Sequence, residues 1–257
     1  MHSTQFQKGV SFMNSYLYDG SFDGLLTAYF YAYKDTDVHG IYRQSGYQPD
    51  LLSQPLTVPA QNDKAQRIMH SVQQNLSAYT MQNLYLLYLS ELPDCDLLGL
   101  QYLRLCFSQG AGINHAKHHP VIRRVEDARY KVLHELDHVK GFLRFQQIDQ
   151  HVFYACFAPD HNQLPLLISH LERRFSDQKL IVHDEKRNCA LLYNLHSSII
   201  VPFTADNAAE LLEHSNDNTI DLFRRYFQAI NIPERANPRQ QAGYMPHRYR
   251  KYMPETQ

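Results

Sequence analysis

Tryptophan is absent from the 257 residues, glycine is sparse at ten, and opposite charges nearly cancel, with 25 Lys and Arg against 26 Asp and Glu. A formal net charge of −1 leaves no global field drawing the chain to nucleic acid or to a membrane surface, so any such affinity has to reside in a local patch. No uninterrupted apolar run approaches the ~20 residues of a bilayer-spanning helix. The opening MHSTQFQKGVSF lacks the apolar core of a secretory signal. A soluble, cytoplasmic protein is the expectation. The four cysteines, Cys95, Cys106, Cys156 and Cys189, stand far apart without a CxxC pair. That spacing excludes a zinc ribbon or an iron–sulfur cluster and predicts reduced structural thiols. There is no Walker-type glycine loop, no dinucleotide fingerprint, and no Ser or Cys in a recognisable nucleophile setting. Nothing in the sequence calls for a cofactor.

What is present is an alternation of two periodicities. Tyr16-Leu17-Tyr18 reads as a short strand, Asp19-Gly20 turns the chain, and Ser21 is a good N-cap. The helix after it carries Phe22, Leu25, Leu26, Tyr29, Phe30 and Tyr33 along one face. Residues 35–61, rich in Gly and Pro, read as irregular, with a short strand at 38–43. Helices then dominate to His138. One opens near Asp63, one covers 81–91, and one covers 95–107 that is apolar nearly all round and therefore central. A last one begins at Pro120, where a missing amide hydrogen costs nothing. From there the pattern becomes strand–strand–helix–strand–strand: 140–148, 151–158, 164–175, 179–184 and 189–195, with a further strand at 198–203 and an amphipathic helix at 219–230. The segment 151–158 is apolar on both faces, the mark of a central strand. These elements predict an α+β protein forming a single domain over 1–257, with a helical part over about 63–138, a sheet unit over about 139–203 and an extended basic tail over 235–257.

Several residue groups have the makings of chemistry. His134-Glu135-Leu136-Asp137-His138 is an H-E-x-x-H, whose two His can share a zinc on one helix face while the Glu serves as base. The longer form of that motif needs a third His where Arg144 stands. Fifteen His in the chain also make a chance match unsurprising, so zinc hydrolysis is the alternative reading and no metal ligand is assigned. Asp160-His161 and His183-Asp184 each couple a carboxylate to an imidazole, the pairing used in general acid–base catalysis. These four are the candidate catalytic residues. Asp160 could equally cap the next helix, and Asp184 start a hairpin turn. His115, Lys117, His118, His119, Arg123 and Arg124 form a basic run at a helix start. Lys140, Arg144, Arg173 and Arg174 add positive charge around the sheet unit. The tail over 235–254 contains Arg235, Arg239, Arg248, Arg250 and Lys251 with no acid, interleaved with Tyr244, Tyr249 and Tyr252. Such a segment suits a phosphate backbone with exposed bases. It also suits a strap clamped across its own domain with the Tyr rings in grooves.

Specific stretches resemble an uncharacterised bacterial family of DNA-repair or DNA-metabolism proteins. They are Tyr18-Asp19-Gly20-Ser21-Phe22-Asp23-Gly24, Gly141-Phe142-Leu143-Arg144-Phe145, Pro159-Asp160-His161, Arg173-Arg174-Phe175, His183-Asp184, and Arg248-Tyr249-Arg250-Lys251-Tyr252-Met253-Pro254-Glu255. The resemblance implies association with DNA and with a radical-SAM partner protein, and related domains occur fused to a uracil-DNA-glycosylase-like domain. This chain has no CxxxCxxC cluster motif, so it resembles the companion and not the radical enzyme. The expected function is DNA binding in a repair setting, with Lys140, Arg144, Arg173, Arg174, Arg248, Tyr249, Lys251 and Tyr252 as the binding residues. A protein–protein adaptor without nucleic-acid affinity is a further alternative.

Overall fold

The computed structural model describes residues 13–51, 53–213 and 247–253, the last segment without the side chains of His247 and Arg248. The expected helix over 219–230, Arg235, Arg239 and Tyr244 lie outside the described residues. The architecture is α+β, with a three-stranded parallel sheet and a five-stranded mixed sheet. The chain divides into two compact units, Met1–Lys131 and Val132–Gln257.

In the first unit, β1 (Met13–Tyr18) lies between β2 (Val38–Arg43) and β3 (Ser53–Thr57), both parallel to it. Ser21 caps α1 (Phe22–Ala32) as its sequence promised: its hydroxyl accepts from the Gly24 amide at 2.9 Å. β3 was not legible in the Pro-rich stretch. Its Pro55 cannot donate to a ladder, and β3 tolerates it because it pairs on one side only, at the sheet edge. Three helices follow, α2 (Asn62–Asn75), α3 (Ala78–Ser90) and α4 (Cys95–Gln109). The α3 start moves from Thr80 to Ser77, whose hydroxyl accepts from the Thr80 amide. α4 is buried on several faces, through Cys95, Leu98, Leu100, Tyr102, Leu103 and Cys106, as its all-round apolar sequence requires. Gly99 lets α1 approach: a Cβ there would fall 1.9 Å from the Tyr29 hydroxyl. One apolar core joins Tyr18, Leu25, Leu26 and Tyr29 to Val72, Leu84, Leu87 and Leu103.

The boundary between units falls within α5 (Pro120–Phe142). This helix overruns the strand expected over 140–148. Lys140, Gly141 and Phe142 are helical, and β4 is confined to Gln146–Asp149. β5 (Val152–Phe157) runs parallel to β6 (Lys179–Asp184), and α6 (Leu164–Arg174) forms the crossover between them. β4 pairs with β5, β7 (Cys189–Tyr193) with β6, and β8 (Ser198–Pro202) with β7, all antiparallel, giving the order β4-β5-β6-β7-β8. A short helix, α7 (Ala205–Glu213), follows. Leu164, Leu167 and Leu171 of α6 pack on Phe157, Leu180, Val182 and Leu191 of the sheet, and Leu136 and Val139 of α5 and Tyr249 of the tail join that core. None of the four cysteines is in a disulfide. Among the described residues, no helix is long and apolar enough to cross a membrane.

Candidate functional site

The carboxyl ends of β5 and β6 lie side by side because the two strands are parallel; Asp160-His161 stands in the loop leaving β5, and His183-Asp184 forms the last two residues of β6. In open α/β arrangements this edge is where ligands collect. The two loops are tied together. The Lys186 ammonium donates to the Asp160 carbonyl at 2.8 Å, and the Arg187 guanidinium donates to the same carbonyl at 3.0 Å and to the Pro159 carbonyl at 3.3 Å. Arg187 also holds Asp184 at 2.8 Å, and the Asp184 carboxylate accepts from the amides of Lys186 and Arg187, starting the hairpin turn. Asp184 is buried. Desolvation raises its pKa, and the Arg187 charge and the turn amides oppose that rise. Asn188 closes the turn in the left-handed region, φ 48°, which its short polar side chain tolerates.

The H-E-x-x-H segment has a structural task. Glu135 is buried at 3% exposure. One oxygen accepts from the Asp160 amide at 2.8 Å and the Tyr249 hydroxyl at 2.9 Å, and the other from the His161 amide at 2.8 Å and Gln163 Nε2 at 3.1 Å. Desolvation pushes its pKa up, but these four donors outweigh it and hold the carboxyl below its ordinary value. Glu135 therefore pins the loop after β5 and the tail to α5. His134 and His138 stand ring to ring at 4.3 Å. Among the described residues no group of three or more His, Cys, Asp and Glu is placed to hold a metal ion.

The remaining candidates fall in three places. Asp160 is exposed and engages the unit through its backbone, while the residue preceding α6 is Gln163, without a side-chain cap. His161 is buried above Glu135. His183 is buried beside Tyr154, whose hydroxyl lies 2.9 Å from Nδ1, and against the Phe203 ring at 5.0 Å. Desolvation lowers the His183 pKa. The tail folds back: Tyr249 and Met253 are buried, and Lys251 and Tyr252 reach Glu185 at 3.1 and 2.5 Å. The Arg248 side chain lies outside the described ones.

A separate cationic surface forms at the C-terminal ends of α5 and α6. Arg173 and Arg174 are exposed and Lys140 is half-exposed. Arg173 folds onto the Ser169 carbonyl at 2.9 Å, Arg174 lies over the Phe175 ring at 5.5 Å, and Lys140 meets Asp137 at 3.4 Å. All three act on His170. Burial first, and then the charges of Lys140, Arg174 and Arg173, lower its pKa. Arg144 is turned back, its guanidinium donating to the Gly141 carbonyl at 2.8 Å. Sequence reading missed His170, Gln163, Glu185 and Arg187. Only Arg187 carried a usable signal, an Arg three residues after an Asp that starts a turn.

A family model described as a domain of unknown function, DUF4130, matches residues 93–255. No curated protein matches. No solved structure matches either.

Proposed function

The chain belongs to the DUF4130 domain family, and we propose that it is a DNA-repair-associated protein that binds DNA through the cationic ends of α5 and α6. The observation that carries this reading is the placement of Lys140 in the last turn of α5 and of exposed Arg173 and Arg174 in the last turn of α6, with His170 one turn before them. Three cations brought together from two elements repel one another and lower the charge of a neighbouring imidazole. Phosphate groups lying across them relieve that repulsion and release counterions on binding. The polar groups at the β5 and β6 ends are engaged with one another through Arg187 and Glu135, which supports a binding role over a catalytic one for this unit. The tail contributes by holding the unit together. Its Lys251 and Tyr252 contact Glu185, and Tyr249 stands on Glu135. A radical-SAM protein or a uracil-DNA-glycosylase-like protein as partner rests on the sequence resemblance alone.

The test is binding of fluorescent single- and double-stranded DNA at low and moderate salt by the full chain and by Arg173→Ala with Arg174→Ala. Salt-sensitive binding weakened by the double change supports the reading. Absence of binding at low salt refutes it and favours an adaptor. Point changes serve better than deleting the tail, because deletion would strip Glu135 of its Tyr249 donor.

A further inference from the structure

The first unit contains a cavity of about 270 Å³ that none of the sequence motifs pointed to, lined by Gly40, Tyr42, Arg43, Glu91, Asp94 and Asp96 among others. It lies where β2 ends and α4 begins. The sheet there is all parallel in the order β2-β1-β3: the first connection steps from β1 to one edge, β2, and the second crosses from β2 past β1 to the other edge, β3. Ligand sites in parallel sheets favour the carboxyl ends of the strands, and the cavity takes Gly40 to Arg43 from that end of β2.

The floor of the cavity is a fixed polar chain. Arg43 donates to the Tyr18 hydroxyl at 3.2 Å, to Glu91 at 2.9 Å and to the Tyr88 carbonyl at 3.2 Å. Tyr18, fully buried, donates its own hydroxyl hydrogen to Asp96 at 2.9 Å. The one guanidinium is thus occupied on three sides, while three carboxylates line the space. The wall is aromatic. A Cβ at Gly40 would fall 2.2 to 2.4 Å from the Tyr42 ring, so the missing side chain is what lets that ring lie along the strand. The rim is strained: Glu91 and Asp94 both hold left-handed backbone, φ 50° and 58°, although neither is glycine. Such conformations concentrate where a side chain has to be aimed.

We propose that this cavity binds an amino-bearing heteroaromatic ring of the nucleobase kind, stacked on Tyr42, with its amino edge donating to Asp94 and Glu91. Anionic ligands find no unoccupied guanidinium in the lining, so a phosphate does not belong there. The carboxylates are not set as a metal cage, since no such grouping occurs among the described residues. Carboxylates accept from exocyclic amino groups, as they do from cytosine N4, and an aromatic face accepts any base by stacking. The volume, near the lower end of about 300 Å³ for small-molecule sites, suits a base or nucleoside. Burial raises the pKa of Asp96, which fits its role in the floor as Tyr18's partner and not as the ionic contact.

Paired nucleosides that differ only in that group provide the test: cytidine against uridine and adenosine against inosine, titrated into the full chain by calorimetry and by amide chemical shifts. The expected result is binding of cytidine or adenosine at least tenfold tighter than its oxo partner, with shifts centred on Gly40, Asp94 and Asp96. Asp94→Gly keeps the backbone conformation, because glycine accepts φ 58°, and should reduce binding at least tenfold, as should Tyr42→Leu. Equal binding of both members of each pair, binding unaffected by Asp94→Gly, or no binding at millimolar nucleoside would each overturn the proposal. The DNA reading is tested separately, since changing Arg173 and Arg174 leaves this site intact.

Discussion

At the scale of single residues, the decisive group is the Glu135 carboxylate. It is buried with four donors on its two oxygens, and a hydrogen bond to a charged group contributes about 1.5–3 kcal/mol. Tyr249→Phe should therefore lower stability by about 2 kcal/mol, read as a shift in the denaturant midpoint at unchanged slope. Lys251→Ala removes an exposed ion pair with Glu185 and should cost less than about 1 kcal/mol. Equal losses from the two would contradict the view that the tail is held by its buried tyrosine. His183 sets a pH dependence. Its folded pKa lies below the ordinary 6.5 because burial disfavours the charged form. The unfolded chain thus binds its proton first on acidification, and the stability His183 contributes declines as the pH falls through about 6.5. Melting temperatures at pH 8 and pH 5.5 should fall further apart in the natural protein than in His183→Gln, and identical differences would remove His183 from the account.

At the scale of elements, the hairpin between β6 and β7 depends on Arg187. Asp184 has no exposed side-chain surface and Arg187 little. Removing one partner strands a buried charge, at roughly 3–5 kcal/mol. Arg187→Ala should destabilise the protein by about 3 kcal/mol, and adding Asp184→Asn should recover part of the loss. An additive loss in the double variant, seen in chemical denaturation, would show that the two act independently. The sequence made most of these elements legible wherever a pattern was long enough. The all-round apolar run of α4, the two-sided apolar run of β5 and the Ser21 cap each had a single physical reading. The α5 end did not, because Gly141 reads as a helix stop yet lies inside the helix, which runs on to Phe142, and the apolar residues after it suit a strand equally well. β3 was hidden because Pro55 argues against a strand, and edge position is a tertiary fact. The Glu135 clamp was hidden for a related reason. Its donors come from 25 residues on in the chain and from 114 residues on, and no local spacing encodes such a meeting.

At the scale of the whole molecule, a chain of nearly balanced charge has to concentrate its cations to recognise a polyanion. The α5 and α6 ends provide that concentration with Lys140, Arg173 and Arg174 around His170. His170 adds a testable sign. Burial and those cations lower its pKa, and a phosphate placed there would favour its protonation. DNA affinity should therefore rise as the pH falls from 8 towards 6, and His170→Ala should flatten the rise in a binding titration. The most direct measurement is the salt dependence of DNA affinity for the natural chain and for Lys140→Ala, Arg173→Ala and Arg174→Ala combined. Removing one cation that neutralises a phosphate lowers the slope of log affinity against log salt by about one. A slope shallower by about two to three is expected for the triple variant, with weaker binding at low salt. An unchanged slope with unchanged affinity would contradict it.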